Sequence, residues 1–255
     1  MDYNQQLIEH FSSLQIPENR IIVIHARLKN IKNNLDLSYE SSARLILEWF
    51  YNFYRPKTVL VPSFTYSFTR SGIFHRVFSR SEVGRFSEEI RKLYGQHRTL
   101  DPIFSFVDTN KYLDQYNLNY CTAFDEGGIF DFLDKEDCII VNIDLDQITQ
   151  TQIHYIEKIN RVDYRYDKLF EGVVYSDQHH WKSIKYRYFV RDLKLNPRMD
   201  YKKRERYLIE RGALNVFSRN GLVISWISAR KLNEVISQAL ASDPYFLIIN
   251  GDIKG

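Results

Sequence analysis

Cys138 to Tyr166 reads CIIVNIDLDQITQTQIHYIEKINRVDYRY, and this stretch decides the fold. Its opening apolar run, Ile139, Ile140, Val141 and Ile143, has the length and β-branched content of a buried strand. The run breaks at Asp144-Leu145-Asp146, and a helical pattern begins near Thr149 or Thr151. On that helix His154 and Glu157 stand three positions apart and share a face. A strand that delivers a loop and then a His/Glu pair is where α/β proteins place chemistry.

Upstream the alternation of strand, loop and helix recurs. Residues 4–14 carry Leu7, Ile8, Phe11 and Leu14 at helical spacing, and Ile21 to His25 follows as a buried strand. Residues 38–54 predict a strong helix capped by Ser38, with Leu45, Ile46, Trp49 and Phe53 on one side. Thr58 to Pro62 predicts a second strand. Residues 81–94 predict a helix with Ser79 or Ser81 as cap and Gly95 just past its end. The segment 98–107 mixes loop and strand around Pro102, and Asp125-Glu126-Gly127-Gly128 opens a short helix before Cys138.

Downstream the character changes. Residues 172–193 alternate and are rich in Tyr, Val and Phe, as an antiparallel hairpin is. Residues 197–211 predict an exposed charged helix, 221–226 a strand, 229–240 a helix and 244–249 a last strand. The predicted architecture is α/β: a central mixed, partly parallel sheet flanked by helices, with an antiparallel β-rich subdomain in the C-terminal half. One domain over 1–255 is expected, with the hairpin subdomain at 168–200.

Composition narrows the class. A chain of 255 residues, 44% hydrophobic and 26% charged, can bury a full core. No apolar run reaches the roughly 20 residues that span a bilayer. The N-terminus is polar and acidic where a signal peptide would be basic and then apolar. Cys121 and Cys138 are the only cysteines, so no disulfide framework is expected. These features predict a soluble cytoplasmic protein without membrane association.

Several chemistries lack their motifs. No Walker loop, G-x-G-x-x-G, G-x-S-x-G or H-E-x-x-H occurs. His179-His180 has no third ligand at zinc spacing, so no metal is predicted there. Asp144-Leu145-Asp146 matches the D-x-D of metal-dependent glycosyltransferases, a tripeptide common by chance. Between His179 and Arg211 there are eleven Lys/Arg against four Asp/Glu, a net +7 in a chain of net +3. No nucleic-acid recognition fold accompanies that charge, so a solvated helix face or a small polyanion explains it better.

Taken together, five segments resemble the aminoglycoside 3-N-acetyltransferase (antibiotic N-acetyltransferase) family, from about Ile21 to the C-terminus. His25-Ala26-Arg27-Leu28 stands where the family has an HSSL-type loop, and Pro62-Ser63-Phe64-Thr65-Tyr66 where it has PTFTY. Ser81-Glu82-Val83-Gly84 resembles its S/P-x-E-x-G helix start. Arg98-Thr99-Leu100-Asp101-Pro102-Ile103-Phe104-Ser105 resembles R-S-x-H-P-x-x-S. Thr151-Gln152-Ile153-His154-Tyr155-Ile156-Glu157 resembles T-x-I-H-x-x-E. The departures are Ala26 and Arg27 for small serines, and Asp101 for the histidine before Pro102.

The resemblance implies transfer of an acyl group from an acyl-CoA, acetyl or longer, to a sugar amine, without metal. An ammonium has no lone pair, so a base must take its proton before attack. His154 suits that task, with Glu157 fixing its tautomer, although by spacing alone the pair reads first as a helix-surface ion pair. His25, Ala26, Arg27, Leu28, Thr65, Tyr66 and Ser81 are the implied coenzyme residues, with Glu82 a weaker one. Thr65, or a backbone N–H, is the implied oxyanion donor. Asp101 and Thr151 are the implied acceptor residues; Asp144 and Asp146, on a strand end that feeds straight into the His/Glu helix, read as acceptor-binding or as loop solvation. The basic segment leans the acceptor towards a nucleotide-linked amino sugar of bacterial surface-polysaccharide synthesis rather than a polycationic antibiotic. An aminoglycoside resistance enzyme is the alternative. A metal-dependent glycosyltransferase, or a binding protein without catalysis, is the reading from another class. A homodimer is left open.

Overall fold

The computed structural model describes residues 3–249. In chain order the first half runs α1 (Tyr3–Ser12), β1 (Ile21–Ala26), α2 (Lys29–Asn34), α3 (Tyr39–Tyr54), β2 (Thr58–Pro62), α4 (Phe68–Ser71), β3 (Ile73–His75), α5 (Arg85–Tyr94), β4 (Phe106–Asp108) and α6 (Ile129–Lys135). The second half runs β5 (Ile139–Ile143), α7 (Ile153–Ile159), β6 (Arg165–Tyr175), β7 (Trp181–Arg191), α8 (Tyr201–Glu210), β8 (Asn215–Arg219), β9 (Leu222–Ser228) and α9 (Ala229–Ser242).

The main sheet has the order β4-β2-β1-β5-β9-β8. Its centre, β2-β1-β5, is parallel; β4 pairs antiparallel with β2, β9 antiparallel with β5, and β8 antiparallel with β9. Because successive side chains point to opposite faces, Ile22, Ile24, Val59, Val61, Ile139 and Val141 join one core with α1, α3 and α5. Ile21, Val23, Leu60 and Ile140 join a second core with α6, α7 and α9. The mixed α/β architecture predicted from the sequence is therefore present, with helices on both faces of the sheet.

The long β6–β7 hairpin pairs residue for residue from Arg165↔Arg191 to Tyr175↔Trp181. The short strand β3 joins it in parallel, making a separate three-stranded sheet. Gly172 permits that junction, since a Cβ there would collide with the Gly72 carbonyl and the Phe68 ring. The hairpin starts at Arg165, seven residues before the predicted 172.

Three local expectations are corrected, and one strand is added to those read from the sequence. The predicted 81–94 helix begins only at Arg85, with Gly84 in the cap position and no side-chain cap. Ser81 instead donates its backbone N–H to the Glu88 carboxylate. Gly95 is right-handed, at φ −57°, and the chain continues into a 3-10 turn rather than stopping. Residues 215–219 form β8, joined to β9 by Asn220-Gly221, both at positive φ. Residues 244–249 make turns and a single bridge from Ile248 to Met199 in place of a strand.

Candidate active site

The parallel strands deliver two loops to one end of the sheet. At the end of β1, the Arg27 guanidinium forks onto Asp146 at 2.6 and 2.8 Å and also donates to the Asp144 carbonyl at 2.6 Å. Asn30 donates to Asp144 Oδ1 at 2.8 Å, and Asp144 turns the chain with a left-handed φ of 55°. The D-x-D tripeptide is thus occupied by the neighbouring loop. Among the described residues, no group of three or more His, Cys, Asp or Glu is placed to hold a metal ion.

Past that turn, α7 presents His154. Its Nδ1 lies 2.6 Å from Glu157 Oε2. Glu157 is wholly buried, and Arg165 Nε, from the first residue of β6, approaches the same oxygen at 2.7 Å. A carboxylate only accepts, so the proton between them sits on His154 Nδ1, leaving Nε2 as the basic nitrogen. Burial, and then the Arg165 charge, lower the His154 pKa below its ordinary 6.5, against the opposing pull of Glu157. Burial alone would raise the Glu157 pKa, but His154, Arg165 and the Tyr164 hydroxyl outweigh it and keep the carboxyl below its ordinary value. The Phe124 ring packs edge-on against the imidazole. Such a histidine is neutral near pH 7, fixed in one tautomer, and able to accept a proton.

His154 forms part of the wall of a cavity of about 240 Å³, together with Tyr66, Gln150, Thr151, Tyr201 and Arg204. Tyr66, Thr151 and His154, three of the residues expected at the site, therefore meet in one space. Thr65 and Ser81 line a different, open cavity of about 440 Å³ with Ser67, Ser79, Arg80 and Glu82.

The other expected residues lie elsewhere. Asp101 is 1% exposed, and its carboxylate accepts from the amides of Ile103 and Phe104 and from the Tyr186 hydroxyl. Burial pushes its carboxyl up to about 7, and it holds the loop from inside rather than facing the cavity that His154 lines. Leu28 is buried in the core, Arg27 is occupied by Asp144 and Asp146, and burial lowers the pKa of His25, paired in register with Asn142, to about 4. Thr65 is likewise engaged. Its N–H goes to the Ile103 carbonyl, its hydroxyl to the Arg80 carbonyl, and the hydroxyl oxygen accepts from Arg98.

Arg98 explains how the loops keep their shape. It is buried, and its guanidinium donates to the Ser63, Arg76 and Ser79 carbonyls and to the Ser105 and Thr65 hydroxyls. One planar cation thereby ties the segment after β2 to the loop before α5.

Sequence reasoning missed Arg165, Tyr164, Gln150 and Arg204. The first two sit at the start of a strand where no local pattern marks them. Arg204 is hidden in Lys202-Lys203-Arg204-Glu205-Arg206, which reads as a solvated run, yet Arg204 is 3% exposed and faces inward.

The site is therefore a parallel-centred sheet that presents a half-buried histidine, paired with a buried glutamate, at the wall of a polar cavity. The model of the aminoglycoside 3-N-acetyltransferase family matches residues 55–241, well over half of the chain. The chain belongs to that family. Its fold is similar to that of AAC-IIIb in a binary complex with CoASH, at TM-score 0.72 and 14% identity over 92% of this chain and 95% of that one. It is also similar to a mutant of AAC(3)-IVa in complex with a gentamicin, at TM-score 0.68 and 14% identity over 95% and 90%. YokD from Bacillus subtilis gives TM-score 0.68 and 14% identity over 94% and 99%. By sequence, no curated protein matches the chain.

Proposed function

We propose that this chain transfers an acetyl group from acetyl-CoA to an amine of an amino sugar, with His154 as the general base. The observation that carries the reading is the His154–Glu157 contact of 2.6 Å at the wall of a polar cavity, in a member of this family. The amine nitrogen attacks the thioester carbonyl as His154 Nε2 takes its proton. The new C–N bond forms, the C–S bond breaks, and the thiolate of coenzyme A leaves and is reprotonated. Glu157 steadies the imidazolium while it lasts, and Arg165 keeps Glu157 ionised.

The family and its structural neighbours favour an aminoglycoside as acceptor. A nucleotide-linked amino sugar is the second reading, favoured by the net +7 of residues 179–211 and by Arg204 in the cavity wall. Tyr66 and Thr151 are the further binding residues this reading uses, because they share the cavity with His154. The test is free-thiol release from acetyl-CoA and from longer acyl-CoAs, each offered aminoglycosides and nucleotide-linked amino sugars. Thiol release that depends on a sugar amine supports the reading. No release with any amine would overturn it.

A further inference from the structure

Helix α8 carries its charges unevenly. Lys203 reaches Asp243 at 3.6 Å and Arg206 reaches Glu210 at 3.8 Å, both partly or largely exposed pairs. Arg204 turns the other way, into the wall of the cavity that holds His154. It is 3% exposed, donates one bond to the Ile148 carbonyl at 2.7 Å, and its Nε has no partner. Among the described residues no carboxylate forms an ion pair with it. Glu157, whose field reaches it, is already held by His154 and Arg165.

A buried guanidinium without a counter-charge is costly, and proteins keep one where an anion will arrive. A second observation points the same way. Gln150, 4% exposed in the same wall, has neither amide atom partnered. Among the described residues lining this cavity there is no Asp or Glu, so nothing there answers the ammonium groups of a polycation.

The place of the anion follows from distance. The whole pantetheine arm separates the thioester of coenzyme A from its diphosphate. His154 and Arg204 line the same cavity, so an anion on Arg204 sits beside the reacting amine rather than a pantetheine arm's length from it. An anion seated on Arg204 therefore belongs to the molecule whose amine reacts.

Resting on the acceptor-amine reading above, we infer that Arg204 seats an anionic substituent of the acceptor, a phosphate ester on the amino sugar, beside the amine that is acylated. Gln150 offers it further hydrogen bonds. Arg204 is then the residue that separates anionic amino sugars from neutral ones.

Calorimetric titration tests this without turnover. Glucosamine 1-phosphate and methyl glucosaminide are titrated into the wild type, Arg204→Met and Arg204→Lys, with and without saturating coenzyme A. The wild type should bind the phosphate ester about tenfold to a hundredfold tighter, as one charge-assisted contact gives. Arg204→Met should bring the two ligands to near parity, and Arg204→Lys should keep part of the preference. Equal binding of both ligands by the wild type would overturn the inference. So would a preference that survives in Arg204→Met, or one that coenzyme A abolishes, which would assign Arg204 to the donor. An anion preference in a chain that acylates no sugar amine would sink the proposed reaction while leaving Arg204 as an anion site. Acylation without that preference would do the reverse.

Discussion

Arg165 Nε lies 2.7 Å from Glu157 Oε2, the same oxygen that His154 Nδ1 approaches at 2.6 Å. The carboxylate that orients the imidazole is therefore itself held by a buried cation. Arg165 opens β6 and Glu157 sits on α7, so the hairpin and the helix of the site are locked together at this point.

Removing the cation should be costly. Arg165→Met leaves a buried carboxylate with one partner fewer, and breaking such a pair costs about 3–5 kcal/mol. Urea unfolding of the variant should show the lower midpoint. A variant as stable as the wild type would mean that Glu157 is held by other groups.

The same change should move the pH profile. Because the Arg165 charge helps depress the His154 pKa, Arg165→Met should shift the acid limb of kcat/KM to higher pH. In the wild type that limb should lie below pH 6.5, with full activity once His154 is neutral. An unshifted limb in the variant would separate Arg165 from the titrating group.

Stability should carry a matching signature. The folded His154 pKa lies below its unfolded value, so the unfolded chain takes up the proton first as pH falls. The contribution of His154 is full above pH 6.5 and is lost as pH drops towards the folded value. Glu157, also lowered, loses its contribution further down, as pH falls from its ordinary value near 4.5 through the folded one. Comparing wild type and His154→Asn in urea at several pH values isolates the first slope, which the variant should lack.

Arg98 should be irreplaceable. Its guanidinium serves three carbonyls and two hydroxyls from a buried position, and charge-assisted bonds are worth about 1.5–3 kcal/mol each before coupling. Arg98→Lys keeps the charge but lacks the planar fork, so thermal unfolding should place it close to Arg98→Ala rather than to the wild type. Rescue by lysine would show that charge alone suffices.

How much of this was legible follows from where each interaction lives. The strands Ile21–Ala26, Thr58–Pro62 and Ile139–Ile143 were readable because strands buried on both faces are runs of branched apolar residues. The His154–Glu157 contact was readable because helical spacing alone brings i and i+3 together. Arg165 was not, since its place beside Glu157 depends on how β6 leaves α7. Arg204 was masked by its neighbours, because a helix with several basic residues gives no sign of which one turns inward. The local engagement of Asp101 was not legible either. The position before Pro102 suggested a ligand contact, while the carboxylate is consumed by the turn at Ile103 and Phe104. The strand β8 escaped notice although Asn220-Gly221 is a strong hairpin signal.

If His154 removes the proton from a sugar amine attacking acetyl-CoA, its loss must be felt in turnover rather than in binding. Thiol release by wild type and His154→Asn, at saturating acetyl-CoA and at a pH above the acid limb, tests it most directly. His154→Asn should lower kcat by about 10²–10⁴, with little change in coenzyme A binding. Turnover by His154→Asn equal to that of the wild type would contradict it.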